Sequence, residues 1–349
     1  MKTQVIEIKE ADNVNEKLTI AAEIIKNGGL VVFPTETVYG LGGDALNSTA
    51  SKKIYEAKGR PQDNPLIIHI ADPADAKLYT FTNELYDRLA KRFMPGPLTV
   101  ILPARECIPK ETRASLPTVA VRCPQHPIAR TLIKLAGTPI AAPSANLSGS
   151  PSPTKAAHVI DDMMGRVDAI IAADDAEIGL ESTIVKIEDD NSLTLLRPGK
   201  ITVDELCSVT PDIRIADAVT AKLKEGEKVL SPGMKYRHYA PKAPVILLDA
   251  TSEKAADYIA KNTKGKSVAI ICYKEDIPEI NQKAPGAFIY EFGEKDDEET
   301  HAHLLFDILR DADKKSFDVI YAPLPRKEGV GLALYNRMIR AAAYNIIKL

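Results

Sequence analysis

The sequence is poor in cysteine, and its four thiols lie far apart, at Cys107, Cys123, Cys207 and Cys272. No C-x-x-C pair occurs, so neither the ligand spacing of a zinc site nor the dense pattern of a disulfide framework is present. Free thiols in a chain of 349 residues are typical of a reducing compartment. We therefore predict a cytoplasmic protein.

Long hydrophobic runs and a strong net charge are missing as well. No apolar run approaches the ~20 residues that a membrane-spanning helix needs, and residues 1–10 lack the apolar centre of a signal peptide. The 45 basic and 48 acidic residues give a formal net charge of -3, so no overall field draws the chain to nucleic acid or to an anionic membrane. We expect no membrane association, and any contact with nucleic acid needs a local patch.

Three common functional motifs are also missing. The sequence has no G-x-x-x-x-G-K-[ST] phosphate loop, no H-E-x-x-H zinc motif and no strand–G-x-G-x-x-G–helix unit. The glycine cluster Gly40–Gly43 predicts part of a hydroxyl-rich loop and is weak evidence of function by itself. The function therefore has to be sought in other segments.

Helix and strand patterns alternate along the whole chain. In the first part, strand patterns that directly follow one another favour a mixed α/β or α+β sheet over a strictly doubly wound one. A plainer βαβ pattern then predicts a small Rossmann-like domain, whose last helix we place at 332–347. We predict an N-terminal domain at 1–210, a linker at 211–242 with its core at 231–241, and a C-terminal domain at 243–349.

The linker core reads Ser-Pro-Gly-Met-Lys-Tyr-Arg-His-Tyr-Ala-Pro, an unusual composition for a spacer. It places the cations Lys235, Arg237 and His238 between or beside two phenol rings, Tyr236 and Tyr239. Cations and rings in a semi-rigid frame suit an anionic, ring-bearing ligand such as a nucleotide. The alternative is a linker whose tyrosines only pack on one domain.

Four segments carry most of the remaining chemistry. Each follows or ends a predicted strand or helix, where open α/β sheets gather their ligands. They are Pro34–Thr37; Lys58–Pro61, followed by Asn64-Pro65 and the strand that bears His69; Thr118–Arg122; and Ala142–Asn146, which continues to Ser150-Pro151-Ser152.

Two of these segments carry cations with two possible roles each. Lys58 and Arg60 lie on one stiff turn and suit a polyphosphate, since each cationic donor contributes ~1.5–3 kcal/mol; a solvated helix end is the alternative. Arg122 ends an apolar strand and needs a carboxylate, from an internal acid or from a small ligand. Ser144 and Asn146 either contact a small substrate or cap a turn.

Together these segments resemble the YrdC-type family of L-threonylcarbamoyladenylate synthases, in the long form with a C-terminal domain. The resemblance runs through essentially the whole chain, at the spacing of the family. It rests on the linker core and on FPTETVYGLG (33–42), KGRP (58–61), NPL (64–66), TVAVR (118–122), APSAN (142–146), SPSPT (150–154), ESTI (181–184) and LLRPG (195–199). It implies an α/β fold in which a YrdC-like twisted mixed sheet has a concave active-site face.

The resemblance also implies an activity. Members of the family join L-threonine, bicarbonate or carbon dioxide, and ATP into threonylcarbamoyl-AMP, and they release pyrophosphate. A separate complex then transfers the threonylcarbamoyl group to an adenosine of tRNA, so a weak tRNA contact is conceivable. Mg²⁺ is expected to arrive with ATP and to be held through its phosphates and water.

Residue roles follow from the same resemblance. Lys58 and Arg60 are expected to act in catalysis by neutralising the triphosphate. L-threonine is expected to contact Thr35, His69, Arg122, Ser144 and Ser182, with Arg122 on its carboxylate. The nucleotide is expected to contact Thr118, Asn146, Ser152, Arg197 and Tyr236 as well as the two catalytic cations.

Two other functions fit parts of the sequence. A double-stranded RNA or tRNA-binding module without synthase activity predicts a steeply salt-dependent affinity for RNA, which the net charge of -3 disfavours. A carbamoyl-transfer domain of the hydrogenase-maturation type is expected to carry acylphosphatase-like and zinc-finger segments, which the sequence lacks. The synthase accounts for the paired cations, Arg122 and the linker together.

Overall fold

The structure, a computed structural model, describes residues 2–9, 13–222 and 239–349. These residues form two compact units, one made of 2–148 and 152–222 and the other of 149–151 and 239–349. The predicted nucleotide contact of Tyr236, like most of the linker core, lies outside the described residues and stays a prediction. Among the described residues, no helix is both long and apolar enough to cross a membrane.

The first unit is built on an eleven-stranded sheet with both parallel and antiparallel pairs. Its strands are β1 Gln4–Glu7, β2 Val31–Phe33, β3 Gly40–Asp44, β4 Ile67–His69, β5 Leu98–Pro103, β6 Thr118–Arg122, β7 Ile140–Ala141, β8 Ala169–Ala172, β9 Thr183–Ile187, β10 Leu193–Arg197 and β11 Ile213–Ile215. They follow the order β1-β8-β2-β3-β7-β4-β6-β5-β9-β10-β11. The predicted mixed sheet is confirmed.

Helices cover this sheet and bury their apolar sides. They are α1 Val14–Lys26, α2 Ser48–Lys58, α3 Ala76–Tyr79, α4 Glu84–Phe93, α5 Pro127–Ala136, α6 Ala156–Met163 and α7 Val203–Cys207. Helix α2 begins where the Asn47 side chain accepts hydrogen bonds from the backbone N–H groups of Thr49 and Ala50, and it ends at Gly59 with φ 61°. These two caps fix the point at which Lys58 leaves the helix.

The glycine cluster at 40–43 is a strand and not the loop that we predicted. A Cβ atom at Gly42 would lie 2.6 Å from Ile140 Cγ2 and 2.7 Å from Phe33 Cε1, so only glycine allows its neighbours to pack this closely. Strand β3 pairs with β2 and with β7. Glycine is depleted in strands in general, and the close approach that overrides this preference is a tertiary feature.

The predicted linker at 211–242 begins too early. Residues 213–215 form β11, which pairs in parallel with β10 through Leu193 and Ile213, so this stretch belongs to the sheet of the first unit. The strand is short, and Arg214 and Ile215 are exposed. Its apolar–polar alternation, Ile-Arg-Ile, covers only three residues, which is shorter than the four to eight that indicate a strand.

The second unit is a five-stranded sheet in which every pairing is parallel. Its strands are β12 Val245–Asp249, β13 Val268–Cys272, β14 Phe288–Glu291, β15 Val319–Pro323 and β16 Ile346–Lys348, in the order β14-β13-β15-β12-β16. Its helices are α8 Ser252–Asn262, α9 Ile277–Lys283, α10 Glu298–Lys315 and α11 Gly331–Ala341. The Rossmann-like architecture is confirmed.

The end of the chain differs from the prediction. Helix α11 stops at Ala341, and the backbone turns through positive φ at Ala343 (49°) and Tyr344 (65°). The chain then adds β16 to the edge of the sheet beside β12. Residues 332–347 are therefore a helix, a turn and part of a strand, because the backbone reverses at residues that have no intrinsic preference for this conformation.

Candidate functional site

A row of polar side chains crosses neighbouring strands of the first unit. His69 at the end of β4 lies opposite Arg122 at the end of β6, and Arg122 lies opposite Thr99 on β5. The Thr99 hydroxyl is 2.8 Å from the Ser182 hydroxyl, just before β9. Arg197 on β10 donates to the Ser182 carbonyl at 3.0 Å and to its hydroxyl at 3.1 Å. Three predicted threonine contacts and one predicted nucleotide contact thus share this row.

Arg122 is held by an internal carboxylate. Its Nη2 donates to Glu36 Oε1 at 2.7 Å, and both side chains are only 5% exposed. Burial alone would raise the pKa of the Glu36 carboxyl, but the charge and hydrogen bond of Arg122 outweigh it and lower that pKa. Sequence reasoning missed Glu36, although the Pro34–Thr37 segment was singled out. The one signal in the sequence for Glu36 is that it is the single acid in an apolar and hydroxyl-rich run, residues 30–41.

Arg122 also keeps a donor for a ligand. Its Nε atom is buried and has no hydrogen-bond partner among the described residues. An unsatisfied buried donor costs about 1–3 kcal/mol, so a ligand acceptor at this point is strongly favoured. The sequence left open whether the carboxylate partner of Arg122 is internal or belongs to a ligand, and the structure allows both. Glu36 binds the Nη2 side of the guanidinium, and a ligand carboxylate can accept from Nε.

His69 contributes a neutral ring to the row. Burial, with the charge of Arg122 adding to it, lowers the pKa of His69 to about 3. Its Nδ1 lies 3.2 Å from the Ile67 carbonyl, and the Phe33 ring packs edge-on at 6.0 Å. The imidazole can shape a pocket and exchange hydrogen bonds beside Arg122 without adding a second positive charge.

A second cationic group lies around the turn after α2. Lys58 Nζ donates to the carbonyls of Ser144 and Asn146, both at 2.5 Å, and to Asn146 Oδ1 at 3.3 Å. Arg60 Nη2 donates to the carbonyls of Asn64 at 3.2 Å and Pro65 at 3.3 Å. Lys58 is 3% and Arg60 8% exposed. The solvated helix end, our alternative for these cations, is wrong, because both charges are buried.

The two cationic groups lie toward opposite ends of β4 and β6. The parallel register pairs Ile67 with Ala120, which brings Pro65, an Arg60 partner, toward the half-buried Thr118 at the start of β6. Arg122 stands at the other end of that strand. Lys58, Arg60 and Thr118, three predicted nucleotide contacts, are thus separated from the Arg122 end by the length of a strand.

The loop between β2 and β3 connects these parts. Thr35 Oγ1 donates to the Val38 carbonyl at 2.6 Å inside the loop. The Tyr39 carbonyl accepts a hydrogen bond from Ala145 N at 2.8 Å, and Tyr39 N donates to the Pro153 carbonyl at 2.9 Å. The loop that carries Thr35 and Glu36 is therefore joined to the segment around Ser144 and to the segment around Ser152.

Ser152 lies against the row through another acid. Its hydroxyl donates to Glu181 Oε1, and Glu181 directly precedes Ser182. Both residues are buried, at 0% and 5% exposure. Glu181 belongs to the ESTI motif but was given no role in the sequence analysis. The geometry places it where it can hold the Ser152 hydroxyl in one orientation.

The described residues of this site supply charges and hydrogen bonds, and its one nearby cysteine is poorly suited to act as a covalent nucleophile. Burial raises the pKa of the nearby Cys123 thiol to about 12, so its reactive thiolate is disfavoured. Within 2–9, 13–222 and 239–349, no group of three or more His, Cys, Asp or Glu residues could hold a metal ion. Such a site can bind an anion and a small zwitterion and can stabilise negative charge.

Two protein families match this chain. Residues 23–199 match the family described as "Telomere recombination", which comprises Sua5, YciO and YrdC proteins. Residues 201–343 match the family described as "Threonylcarbamoyl-AMP synthase, C-terminal domain". The two matches are consecutive and together cover most of the sequence.

Full-length relatives and solved structures agree with these matches. A threonylcarbamoyl-AMP synthase of Pyrococcus abyssi is 44% identical, over 95% of this chain and 96% of the relative. The Bacillus subtilis protein of the same name is 41% identical over 100% of both chains. The crystal structure of P. abyssi Sua5 complexed with L-threonine has a TM-score of 0.91 and 43% identity, and covers 99% of this chain and 100% of that chain.

Proposed function

The chain belongs to the Sua5/YrdC family of threonylcarbamoyl-AMP synthases, and from this premise we propose how its own residues carry out the reaction. The enzyme joins L-threonine, bicarbonate or carbon dioxide, and ATP into threonylcarbamoyl-AMP, with release of pyrophosphate. Each of the substrates other than carbon dioxide brings at least one negative charge, and the site of the first unit presents buried cations.

The observation that carries this proposal is the separation of two buried cationic groups. Arg122, fixed by Glu36 and with its Nε still able to donate, is suited to the carboxylate of L-threonine. Lys58 and Arg60, near the other end of the same strands, are suited to the triphosphate. We expect one substrate to bind at each end, so that the reacting atoms meet between the two groups.

The chemistry needs positioning more than a protein nucleophile. The amine of L-threonine adds to carbon dioxide and loses a proton, which gives a carbamate. A carbamate oxygen then attacks the α-phosphorus of ATP, and the bond to the β-phosphate oxygen breaks as pyrophosphate leaves. Holding the reactants in line supplies much of the acceleration, and buried cations stabilise the charge that develops on the leaving group.

Neutral groups complete the threonine end. The His69 imidazole and the Ser182 hydroxyl flank Arg122 in the row, so they can bind the polar end of L-threonine without competing for its charge. The Ser144 hydroxyl donates to Asn146 Oδ1 at 2.5 Å, and the Ser144 carbonyl accepts from Lys58. Ser144, a predicted contact of L-threonine, is thus bonded to two predicted contacts of the nucleotide. Thr35, Ser152 and Arg197 keep the substrate contacts that the family resemblance assigns to them.

We assign Mg²⁺ to the phosphates of ATP and to water. The acids next to the site are engaged by the chain, Glu36 with Arg122 and Glu181 with Ser152, so they do not form a carboxylate cage. This donor set suits a metal that reaches the enzyme already bound to the nucleotide. The residues described above act by binding and orienting the substrates.

The product belongs to a longer route. Threonylcarbamoyl-AMP is a mixed anhydride, so a following enzyme has to transfer its threonylcarbamoyl group, and we propose the tRNA threonylcarbamoyl-transfer complex as that partner. A cytoplasmic location fits the reaction, since ATP and tRNA are both available there. A direct, weak contact of this chain with tRNA stays a prediction.

A pyrophosphate-release assay tests the proposal. L-threonine, bicarbonate and ATP are each omitted in turn, and we expect release only when all three are present. Release without L-threonine would contradict the synthase assignment. A parallel titration with tRNA at rising salt tests the RNA-binding alternative, for which tight, steeply salt-dependent binding together with no synthesis is the expected result.

A further inference from the structure

The second unit has a cleft at the carboxyl ends of its strands that the proposed reaction does not use. The chain leaves the neighbouring strands β12 and β15 toward opposite edges of the sheet, since α8 leads to β13 and α11 leads to β16. Helices α8 and α9 pack on each other, and so do α10 and α11. Open α/β sheets bind their ligands in the crevice at such a reversal.

A cavity of 170 Å³ lies in this crevice. Its floor is apolar and is formed by Ala255, Ile259, Ile270, Ile280 and Tyr321. Helices α8 and α9 and strands β13 and β15 all contribute to it. Since a dry apolar cavity of ~150 Å³ admits benzene, this one has room for one ring.

Polar groups converge on this floor. Ser252, Tyr273 and Asp276 line the cavity, and their side chains make no hydrogen bond or ion pair with any residue that the structure describes. The Tyr273 ring is fixed, because it packs on Phe292 and His301. Burial raises the pKa of its hydroxyl to about 12, so the group stays neutral and able to donate. An apolar floor with a few convergent polar groups is the usual composition of a small-molecule site.

The charge of the rim favours a ligand that donates hydrogen bonds. Asp249, Asp276 and Glu298 line the cavity together with Lys295 and Arg326. The Arg326 guanidinium lies 2.8 Å from a carboxylate oxygen of Asp296. Two of the three acids also have partners, since Asp249 lies 3.9 Å from Lys348 Nζ and Glu298 accepts from Gly331 N. The Asp276 side chain has no hydrogen bond or ion pair with the described residues, so its carboxylate is the acceptor that an amino group of a ligand can meet.

A phosphate does not fit the same place. The N-terminus of α11 is occupied by the chain, because Gly331 N donates to Glu298 Oε2 at 2.7 Å. At the start of α8, the Thr251 hydroxyl accepts from Lys254 N at 3.5 Å, and the turn 249–252 contains no glycine. The carboxylate of Glu298 thus occupies one of the two helix ends that offer an anion site in related sheets, and the other end lacks the glycine turn that would let a phosphate approach its backbone.

We propose that this cleft binds a small unphosphorylated molecule that carries one ring system and an amino group. The ring lies on the apolar floor, the amino group donates to Asp276, and the hydroxyls of Ser252 and Tyr273 complete the polar contacts. A free nucleoside, with its base on the floor and its ribose at the rim of the cleft, and an aromatic amino acid share this chemistry. The site makes the second unit a ligand-binding domain, independent of the synthase reaction.

Calorimetry on the full chain tests this, with adenosine and L-phenylalanine as separate probes. We expect one of them to bind with Kd below about 1 mM. Asp276→Asn removes the acceptor charge at constant shape, and Ala255→Leu fills the floor. Each is expected to weaken binding by about tenfold or more. Glu253→Gln, on the exposed side of α8, is the matched control and is expected to bind like the wild type.

Two results would overturn the proposal: no binding of either probe at about 10 mM, or binding that survives unchanged in Asp276→Asn and Ala255→Leu. The second result also covers adenosine that binds the first unit, since neither substitution touches that unit. Pyrophosphate release by Asp276→Asn in the absence of probe is expected to equal that of the wild type. Because Asp276→Asn is isosteric and half-exposed, it keeps the test valid even where Ala255→Leu fails to fold.

Discussion

The two units treat the polar groups at their strand ends in opposite ways. In the first unit the chain itself engages them: Arg122 is bound by Glu36, and Lys58 is bound by the carbonyls of Ser144 and Asn146. In the second unit Asp276, one of the groups around the cleft, has no hydrogen bond or ion pair to the described residues. The polar groups of the first site are fixed by the chain before any ligand binds, whereas Asp276 in the second site can be bound by a ligand.

This difference suits two tasks. Charge that develops during a reaction is stabilised best by groups that need no rearrangement. Internal partners hold such groups in place, although burying the ions costs desolvation free energy. A binding site gains more from polar groups that the ligand alone satisfies. Substitution of the paired groups Arg122 and Lys58 should therefore affect stability and catalysis together, whereas substitution of Asp276 should affect ligand binding only.

The largest expected effect is that of Arg122→Ala. It leaves the Glu36 carboxylate buried without its partner, which costs about 3–5 kcal/mol of unfolding free energy, and it removes the group that binds the carboxylate of L-threonine. Calorimetry should show L-threonine binding abolished and ATP binding largely retained, and urea titration should show the lost stability. A normal L-threonine affinity in this variant would refute the assignment.

A double variant separates the two effects of Arg122. Combining Arg122→Met with Glu36→Met replaces both charged side chains by apolar ones of similar volume, and such replacements of buried ion pairs are often neutral for stability. We expect stability to recover and L-threonine binding to stay lost. Recovery of both would mean that Arg122 serves only the fold.

Lys58→Ala is expected to slow pyrophosphate release by ~100-fold, in line with the loss of one fixed transition-state contact. The same change releases the loop at 142–146 from Lys58. Lys52→Ala is the matched control on the same helix, since Lys52 is 49% exposed and forms only a 3.3 Å surface pair with Glu111. A wild-type rate in Lys58→Ala would end its catalytic assignment.

The sequence predicted the fold where a local pattern coincides with burial. Strand β6 ends at Arg122 as predicted, because its continuous apolar run, Val119–Val121, is buried inside the sheet. The short edge strands β11 and β16 could not be predicted. Their pairing depends on where the neighbouring strand ends, and none of their residues is buried.

The candidate site was predictable in composition and less so in its pairings. Lys58, Arg60 and Arg122 were identified from the sequence, but the burial of Lys58 and Arg60 was not, since local chemistry does not reveal which turn the fold covers. The pair between Glu36 and Arg122 spans 86 positions and leaves no local trace. His301 shows the same limit, because its position on α10 gives no local sign that it is only 2% exposed, between Tyr273 and Phe292.

A pH titration tests the row around His69. Its pKa of about 3 in the folded chain lies below the unfolded value near 6.5, so the unfolded chain binds the extra proton as the pH falls. The stabilisation is complete above pH 6.5 and is lost on acidification, by at most about 1.4 kcal/mol per pH unit.

The measurement is urea unfolding at intervals between pH 7 and pH 5. Above pH 5 the Glu36 carboxyl, whose pKa lies below 4.5, stays ionised and does not contribute. His69→Asn should lose stability less steeply than the wild type over this range. Equal slopes for His69→Asn and the wild type would mean that His69 is accessible to protons in the folded chain.

The smallest expected effect, and the one that separates the two units most clearly, is that of Asp276→Asn on stability. The carboxylate is half-exposed and makes no hydrogen bond or ion pair with the described residues, so its loss should change the unfolding free energy by less than about 0.5 kcal/mol. Glu36→Gln, the same change of an acid to an amide, removes the charge that Arg122 faces and should cost several times more. Urea unfolding of both variants at pH 7 makes the comparison. A cost for Asp276→Asn that matches Glu36→Gln would show that the chain already uses this carboxylate for its own stability, and that the cleft has no acid to offer a ligand.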